Sequence, residues 1–346
     1  MSAKASCAFL AGGDVALNRP RGKGAFGRLA PLFRRAGLAF ANLECPLSRR
    51  GRGAPDKILL RGAPEMDQAL LEAGFGLLSF ANNHAMDYGE EAFADTLALM
   101  RERRIPLAGC GADLAQARKP VVIERKGLRV GCLAYSSILP YGSAAGPSKP
   151  GVSPLRALTA YRPRMNPAEY PGAPAEVHTW ADPGDLQAMV KAVRALRPKV
   201  DALVVNHHWG TSMTHEVRAF QRETARAAVD AGADLVLGGH PHVLQGVELY
   251  KGRPIVYSMG NLVFDIDVPF FTAATRQTFL FGCTLSRRRA ADPHLILCRS
   301  AVRNAPRLLS PAGGAGREIL RLLERLCAPL GTRLEATGGK VRVLPA

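Results

Sequence analysis

The sequence has no apolar run close to the ~20 residues that a membrane-spanning helix needs, and none of its seven cysteines forms a CxxC pair. The first absence predicts that the protein has no membrane span. The second, together with the odd number and scattered positions of the cysteines, argues against a disulfide framework or a structural zinc knuckle. The amino-terminal apolar stretch is too short for a signal peptide and runs into a glycine–aspartate turn. We therefore expect a first β-strand there and a cytoplasmic protein.

Acidic residues are scarce, because 29 Asp and Glu face 46 Lys and Arg and leave a net charge of +17. A basic surface suits nucleic acid, an anionic polymer or lipid headgroups. The arginines are dispersed, however, and no RNA-recognition, zinc-finger or helix-turn-helix pattern accompanies them. An arginine-rich composition of the kind that GC-rich genes encode is the alternative explanation. We predict an anionic small-molecule or polymeric substrate and no nucleic-acid partner, and the sequence leaves the oligomeric state open.

Apolar stretches alternate with helical stretches along most of the 346 residues, which predicts an α/β fold with a sizeable core. The predicted strands cover 6–11, 38–44, 76–84, 121–124, 128–135, 202–206, 233–238, 246–250 and 254–261. The predicted helices cover 26–36, 64–73, 90–103, 183–196, 215–231 and about 315–327. Residues 143–182 interrupt this alternation with Pro, Gly and Ser but also carry aromatic residues. We predict a partly ordered, lid-like insertion there, and a disordered loop is the alternative.

Side chains that can bind metals lie at, or just past, the carboxyl ends of the predicted strands. They are Asp14, Glu44, Asn83, His84, His208, His240 and His242. Sites in open α/β sheets form at the carboxyl ends of the strands. Turn chemistry accounts for a single Asp or Asn at such a place, but turns do not select histidine. Carboxylates that bridge and imidazoles that select transition metals are typical of a site for two divalent ions. The sequence therefore predicts two bound metal ions, of Mn, Fe or Zn.

Six segments, in order, resemble one known family. They are GDV at 13–15, NLECPLS at 42–48, ANNHAMDYG at 81–89, HWG at 208–210, GADLVLGGHPHVLQGVE at 232–248 and YSMGNLVFD at 257–265. The family is the bacterial capsule-synthesis CapA or poly-γ-glutamate synthesis (PGA_cap) family of the calcineurin-like metallophosphoesterase superfamily. The resemblance implies a four-layer αββα metallophosphoesterase-like sandwich. In this interpretation residues 1–270 form the main domain, with the insertion at about 143–182, and residues 271–346 add strands and a helix to the same domain.

The resemblance also implies a role for each motif residue. The implied ligands are Asp14 and His242 for a first metal, Asn83, His208 and His240 for a second, and Glu44 as the bridge between them. His84 occupies the position of the general acid or transition-state stabiliser, and Asn42 and Asn261 are expected to orient substrate or ligands. Two alternatives stay open: His207 can replace His208 as a ligand, and Cys45 is either a soft ligand or a packed side chain.

The chain departs from the family pattern in three places. Ala16 stands where the superfamily has the histidine of its opening DxH motif, so the first metal lacks that ligand. Thr211, Ser212 and Met213 follow the HWG motif, where relatives commonly have a Glu-Tyr pair. We also expect no amino-terminal membrane anchor of the kind that many polyglutamate-export members carry, and this expectation puts a direct role in capsule assembly in doubt.

Together these features predict a soluble hydrolase that depends on two metal ions. A metal-bound hydroxide would attack a phosphoester or a γ-glutamyl-type amide, and His84 would stabilise charge or protonate the leaving group. The alternative is a non-catalytic accessory protein of poly-γ-glutamate or capsule polymer synthesis that binds the anionic polymer.

Overall fold

The computed structural model describes residues 5–266 and 272–346, and the predicted boundary at 270/271 lies outside these ranges. The described strands are β1 (Ser6–Ala16), β2 (Leu38–Leu43), β3 (Leu77–Ser79), β4 (Leu107–Ala108), β5 (Cys110–Gly111), β6 (Val121–Arg125), β7 (Leu128–Ser136), β8 (Gly151–Val152), β9 (Ala157–Arg162), β10 (Glu176–Ala181), β11 (Ala202–His208), β12 (Leu235–Gly239), β13 (Val247–Tyr250), β14 (Arg253–Val256), β15 (Asn261–Phe264), β16 (Gln277–Ser286), β17 (Arg289–Ala301), β18 (Asn304–Leu308), β19 (Thr332–Thr337) and β20 (Lys340–Pro345). The α-helices are α1 (Ala30–Arg35), α2 (Asp67–Ala73), α3 (Gly89–Glu102), α4 (Leu114–Ala117), α5 (Pro183–Leu196), α6 (Ala219–Ala231) and α7 (Gly314–Cys327).

Two large sheets contain most of the strands. The first has ten strands in the order β19-β20-β17-β16-β1-β2-β3-β4, with β15 beside β1 and β18 beside β17. The second has six strands in the order β13-β14-β12-β11-β7-β6. The parallel strands β1 to β4 are joined by helices, and right-handed crossovers place α1, α2 and α3 on one face of the first sheet.

The second sheet packs on the opposite face of the first, as the alternating side chains of β11 show. Val204 belongs to the main apolar core, which also contains the residues of β1 and β2. Leu203 and Val205 point the other way, into a second core with Met189 of α5 and Phe220 of α6. The layers are therefore helices, sheet, sheet and helices, which confirms the predicted four-layer αββα sandwich.

Three strand ends near the predicted site differ from the sequence-based bounds. The strand predicted to end at residue 11 continues to Ala16, because its second half pairs with β15 as well as with β2. The strand predicted to end at residue 206 continues to His208, held by ladders to β7 and β12. The third predicted strand ends early, at Ser79, and leaves residues 80–88 in turns.

The helix predicted from residue 215 begins four residues later, at Ala219. Arg218 has an extended backbone and donates its amide hydrogen to the Gln221 side chain at 2.9 Å, which marks the start of the helix. His215 lies before it, with Nδ1 2.6 Å from the Leu244 carbonyl oxygen. This contact holds the preceding loop beside the carboxyl end of the second sheet.

The insertion is ordered, in contrast to the disordered alternative. Its first part packs into the protein through β8, which pairs with β5, and through the buried side chain of Leu155. Its second part is an antiparallel ribbon of β9 and β10. The ribbon lies beside α6, where the Ala181 amide donates to Glu223 at 2.8 Å. Among the helices within the described ranges, none is long and apolar enough to cross a bilayer.

Candidate metal centre

The predicted ligands converge where the carboxyl ends of the two sheets meet. Two groups of three buried side chains each place their ligand atoms within 4.8 Å of one another: Glu44, His208 and His240, and Asp14, Glu44 and His242. Asn83 adjoins the first group, because its Oδ1 lies 2.7 Å from His208 Nε2. We call these two groups the ligand triads, and Glu44 belongs to both.

Glu44 is the unusual member, because both of its carboxylate oxygens are buried and lack a hydrogen-bond partner among the described residues. His208 Nε2 lies 3.3 Å from Oε1. Burial raises the pKa of Glu44 well above its ordinary value, and the nearby Asp14 raises it further. His240 Nδ1 is likewise buried and has no hydrogen-bond partner in the described part of the chain, whereas its Nε2 lies 3.1 Å from Ser212 Oγ. Such orphaned atoms are costly in a protein interior, and a divalent cation would satisfy them. The donor set therefore fits metal ions.

Asn42 orients two of the ligands from β2. Its Nδ2 donates to Asp14 Oδ1 at 2.9 Å and lies 3.3 Å from His208 Nδ1. The second oxygen of Asp14 accepts the amide hydrogen of His240 at 3.0 Å. Asn82 fixes the Asn42 amide by donating to its Oδ1 at 3.1 Å. Asn42 is buried and contacts ligands, so its position suits ligand orientation.

Asn261 orients the His242 ring. Its Nδ2 donates to the Thr275 carbonyl at 3.2 Å, which leaves Oδ1 to accept a hydrogen bond. His242 Nδ1 lies 2.9 Å from that oxygen and therefore carries the proton in this contact. The Nε2 atom then has the lone pair that a metal ion requires, an orientation typical of metal-binding histidines.

His84 follows Asn83 in the turn after β3 and is oriented by Asp87. Its Nδ1 lies 2.7 Å from Asp87 Oδ2, which also accepts the Leu60 amide hydrogen at 2.6 Å. Lys57 pairs with the other oxygen of Asp87 and donates to the Asn83 carbonyl at 2.6 Å. Burial lowers the pKa of His84, and the Asp87 carboxylate opposes that shift. Neither Asp87 nor Lys57 was predicted to contact His84. Asp87 belongs to the ANNHAMDYG motif, so the motif could have indicated it, whereas Lys57 lies outside every motif.

A cleft with a volume of about 390 Å³ opens onto the triads. It is lined by Lys57, Ile58, Leu60, Asn83, His84, Pro140, Ser212, Met213, His240, His242, Phe264 and Ile266. His84 and the two ligand histidines thus face a space that a small reacting group can enter. Ala16, at the DxH position, is buried and supplies no ligand atom.

His207 and Cys45 lie outside both triads. The His207 ring points to the opposite face of β11, where it stacks on Trp209 at a centroid distance of 4.5 Å and on Tyr135 at 5.7 Å. Both of its ring nitrogens are buried and have no hydrogen-bond partner within residues 5–266 and 272–346, and burial lowers its pKa to about 3. Cys45 is buried in the main core, where desolvation raises its pKa to about 12. His208 is therefore the histidine of this pair that the fold brings to the cluster, and Cys45 is a packed side chain.

The two adjacent histidines give a matched pair of variants. We expect His207→Phe to keep bound metal and to raise the free energy of unfolding by about 1 kcal/mol, because it removes two unsatisfied buried nitrogens. Wild-type stability should fall as pH drops from 6.5 towards 3, since the unfolded chain takes up a proton that the folded His207 excludes. His207→Phe should reduce that fall, as measured by urea unfolding at several pH values. His208→Phe should instead lose metal, and equal metal loss in both variants would contradict the assignment.

Several known proteins are similar in sequence to this chain. The family model described as bacterial capsule synthesis protein PGA_cap matches residues 8–266. The PGA biosynthesis protein CapA of Bacillus subtilis (strain 168) is 31% identical over 243 residues, which are 69% of this chain and 56% of the relative. The capsule biosynthesis protein CapA of Bacillus anthracis is 31% identical over 244 residues, 69% of this chain and 53% of the relative. A probable polyglutamine synthesis accessory protein of Mycobacterium tuberculosis (strain ATCC 25618 / H37Rv) is 30% identical over 235 residues, 66% of this chain and 56% of the relative.

The chain thus spans little more than half the length of these curated relatives. Among solved structures, that of a hypothetical protein from Thermus thermophilus aligns with a TM-score of 0.47 at 18% identity. The alignment covers 87% of this chain and 98% of the other.

Proposed function

The chain belongs to the bacterial capsule synthesis protein (PGA_cap) family, and we propose that it is a hydrolase dependent on two divalent metal ions. Its substrate would be a phosphoester or a γ-glutamyl-type amide. One observation carries the proposal: Glu44 is shared by two buried ligand triads, and neither of its oxygens has a hydrogen-bond partner among the described residues. A shared carboxylate between two sets of ligands is the arrangement that a two-metal site requires.

The ions, when bound, would supply an activated water and Lewis acidity at the reacting centre. Asp14 and His242 would hold one ion, Asn83, His208 and His240 the other, and Glu44 both. Ala16 provides no replacement for the DxH histidine, so we expect the ion beside Asp14 to be the more weakly held.

His84 would move a proton or stabilise charge at the leaving group. Its Nδ1 faces Asp87 at 2.7 Å, so Nε2 is the atom left to act in the cleft. Asp87 would hold the imidazole in one tautomer, and the Lys57 ammonium would balance the buried carboxylate. The chain's own residues therefore supply both ligand geometry and a positioned acid or base.

A non-catalytic accessory protein that binds an anionic polymer is the second candidate. The name of the Mycobacterium tuberculosis relative, which describes an accessory protein, favours it, and so does the net charge of +17. A module that only binds a polymer does not need two buried ligand triads, and this supports the hydrolase.

Metal analysis and an activity screen test the proposal together. We expect about two equivalents of Mn, Fe or Zn per chain. We also expect hydrolysis of a phosphoester or a γ-glutamyl peptide that stops when a chelator removes the ions. A protein that stays metal-free after incubation with each ion would support the accessory role.

The ribbon of β9 and β10 is expected to select large substrates. Arg156 and Leu158, at its base, line a second pocket that shares Pro140 with the metal cleft. Tyr161 is 71% exposed and Tyr170 48% exposed, and Arg162 pairs with Glu176 across the ribbon. The lining of the metal cleft includes none of these three residues and neither Arg156 nor Arg164, so any contact they make with a substrate would be outside that cleft.

Replacing residues 158–180 with a short Gly/Ser loop should raise KM for a polymeric substrate. Metal content and hydrolysis of a small artificial ester should stay close to wild type. Steady-state kinetics on both substrates and metal analysis check this. Equal loss on the large and the small substrate would show that the ribbon supports the fold and does not select substrate.

A further inference from the structure

The walls of the metal cleft are apolar, although the protein as a whole is strongly basic. Six large apolar or proline side chains line it: Ile58, Leu60, Pro140, Met213, Phe264 and Ile266. Two of them keep much of their surface in water, since Ile58 is 43% exposed and Met213 is 37% exposed. Exposed apolar side chains that border a functional cleft usually mark the place where a ligand is bound.

Positive charge is largely absent from these walls. Among the described residues that line the cleft, Lys57 is the one lysine or arginine. Its ammonium is already paired with Asp87 and donates to the Asn83 carbonyl at 2.6 Å, and its side chain is only 17% exposed. A carboxylate on a substrate would therefore lose its hydration against these walls without gaining a cation, which is unfavourable.

The position of the triads divides the cleft into two regions. The reacting group of a substrate must sit at the cleft floor, beside His84, His240 and His242. Whatever is attached to that group then lies against the apolar walls. An anionic reacting group suits the floor, where two cations would bind, and an apolar substituent suits the walls.

We infer that the substrate is an amphiphile, in which an anionic phosphoryl reacting group carries an alkyl or aryl substituent that packs between Ile58, Met213 and Phe264. For the reacting group, the inference rests on the proposed function. What it adds is the chemical class of the substituent attached to that group. Burial of each methylene is worth about a fourfold gain in affinity, so a short alkyl chain suffices to set the preference.

Binding of two matched phosphonates tests this without the need for turnover. Hexylphosphonate and 5-carboxypentylphosphonate have the same carbon count and differ in a terminal charge. On the full chain with added Mn²⁺, calorimetry should show hexylphosphonate binding at least tenfold more tightly. Ile58→Lys should reduce that preference at least fivefold. Leu71→Lys is the matched control, because Leu71 is 45% exposed on α2 and is not one of the residues that line the cleft. It should leave the preference unchanged.

Three results would overturn the inference: equal or reversed affinities, no measurable affinity for hexylphosphonate, or the same loss of preference in both lysine variants. Failure of the proposed function would look different. The preference for hexylphosphonate would then be present, but hexyl 4-nitrophenyl phosphate would not be hydrolysed with Mn, Fe or Zn.

Discussion

Glu44→Ala should abolish binding of divalent metal, from about two equivalents per chain to near zero. The variant removes the only carboxylate common to the two described triads, so both sites lose charge and a ligand at once. Glu44→Gln should show nearly the same loss, because it keeps the volume and removes the negative charge. Metal analysis after gel filtration in metal-free buffer measures the effect. Retention of both ions by Glu44→Gln would show that Glu44 is not the bridge.

The metal-free proteins provide a control for misfolding. Without ions, Glu44→Gln should be more stable than wild type, because the wild-type carboxylate is buried and has no hydrogen-bond partner. The raised pKa of Glu44 fixes the sign of the pH dependence. Above pH about 4.5 the unfolded chain releases the Glu44 proton, whereas the folded chain still holds it. The free energy of unfolding of wild type should therefore fall, relative to that of Glu44→Gln, as pH rises above this value. Addition of Mn²⁺ should then raise the Tm of wild type and leave that of Glu44→Gln almost unchanged.

The family resemblance predicted the layers of the fold, but the apolar pattern did not predict where the strands end. Apolar runs mark the buried centre of a strand, whereas the end depends on pairing with distant segments. Asp14 illustrates this: Gly12 and Gly13 end the apolar run, yet the backbone continues as β1 because Asp14 pairs with Asn42 and Asn261. No local property of the sequence carries that information.

Because strand ends depend on distant segments, the sequence also left His207 open as an alternative to His208. Side chains alternate between the faces of a strand, so one of two adjacent histidines must point towards the first sheet. The choice depends on how far β11 extends and which of its faces meets the main core. Val204 and Asn206 share the inner face with His208, and the Asn206 side chain donates to Ser79 of β3 at 3.0 Å. Lys57 was unpredictable for a similar reason, because a loop brings it to Asp87 from outside every motif.

His84→Ala should separate chemistry from metal binding. We expect both ions to be retained, because the His84 side chain is not a member of either triad. Turnover should fall by roughly 10²–10⁴, the usual contribution of a positioned acid or base. The measurement is kcat on the best phosphoester or amide from the activity screen, with metal content determined on the same preparation. Full activity of His84→Ala on the natural substrate would show that its assigned role is wrong.

Asp87→Asn extends this prediction to the contact that orients the imidazole. The amide keeps the size of the side chain, but it no longer offers His84 Nδ1 the carboxylate that now lies 2.7 Å away. The variant should lower kcat while KM and metal content stay close to wild type. Because Asp87 acts through His84, the double variant His84→Ala/Asp87→Asn should be no slower than His84→Ala alone, which is the non-additivity expected of residues in one unit. Losses that multiply in the double variant would mean that Asp87 acts independently of His84, through the Leu60 and Lys57 contacts that shape the cleft wall.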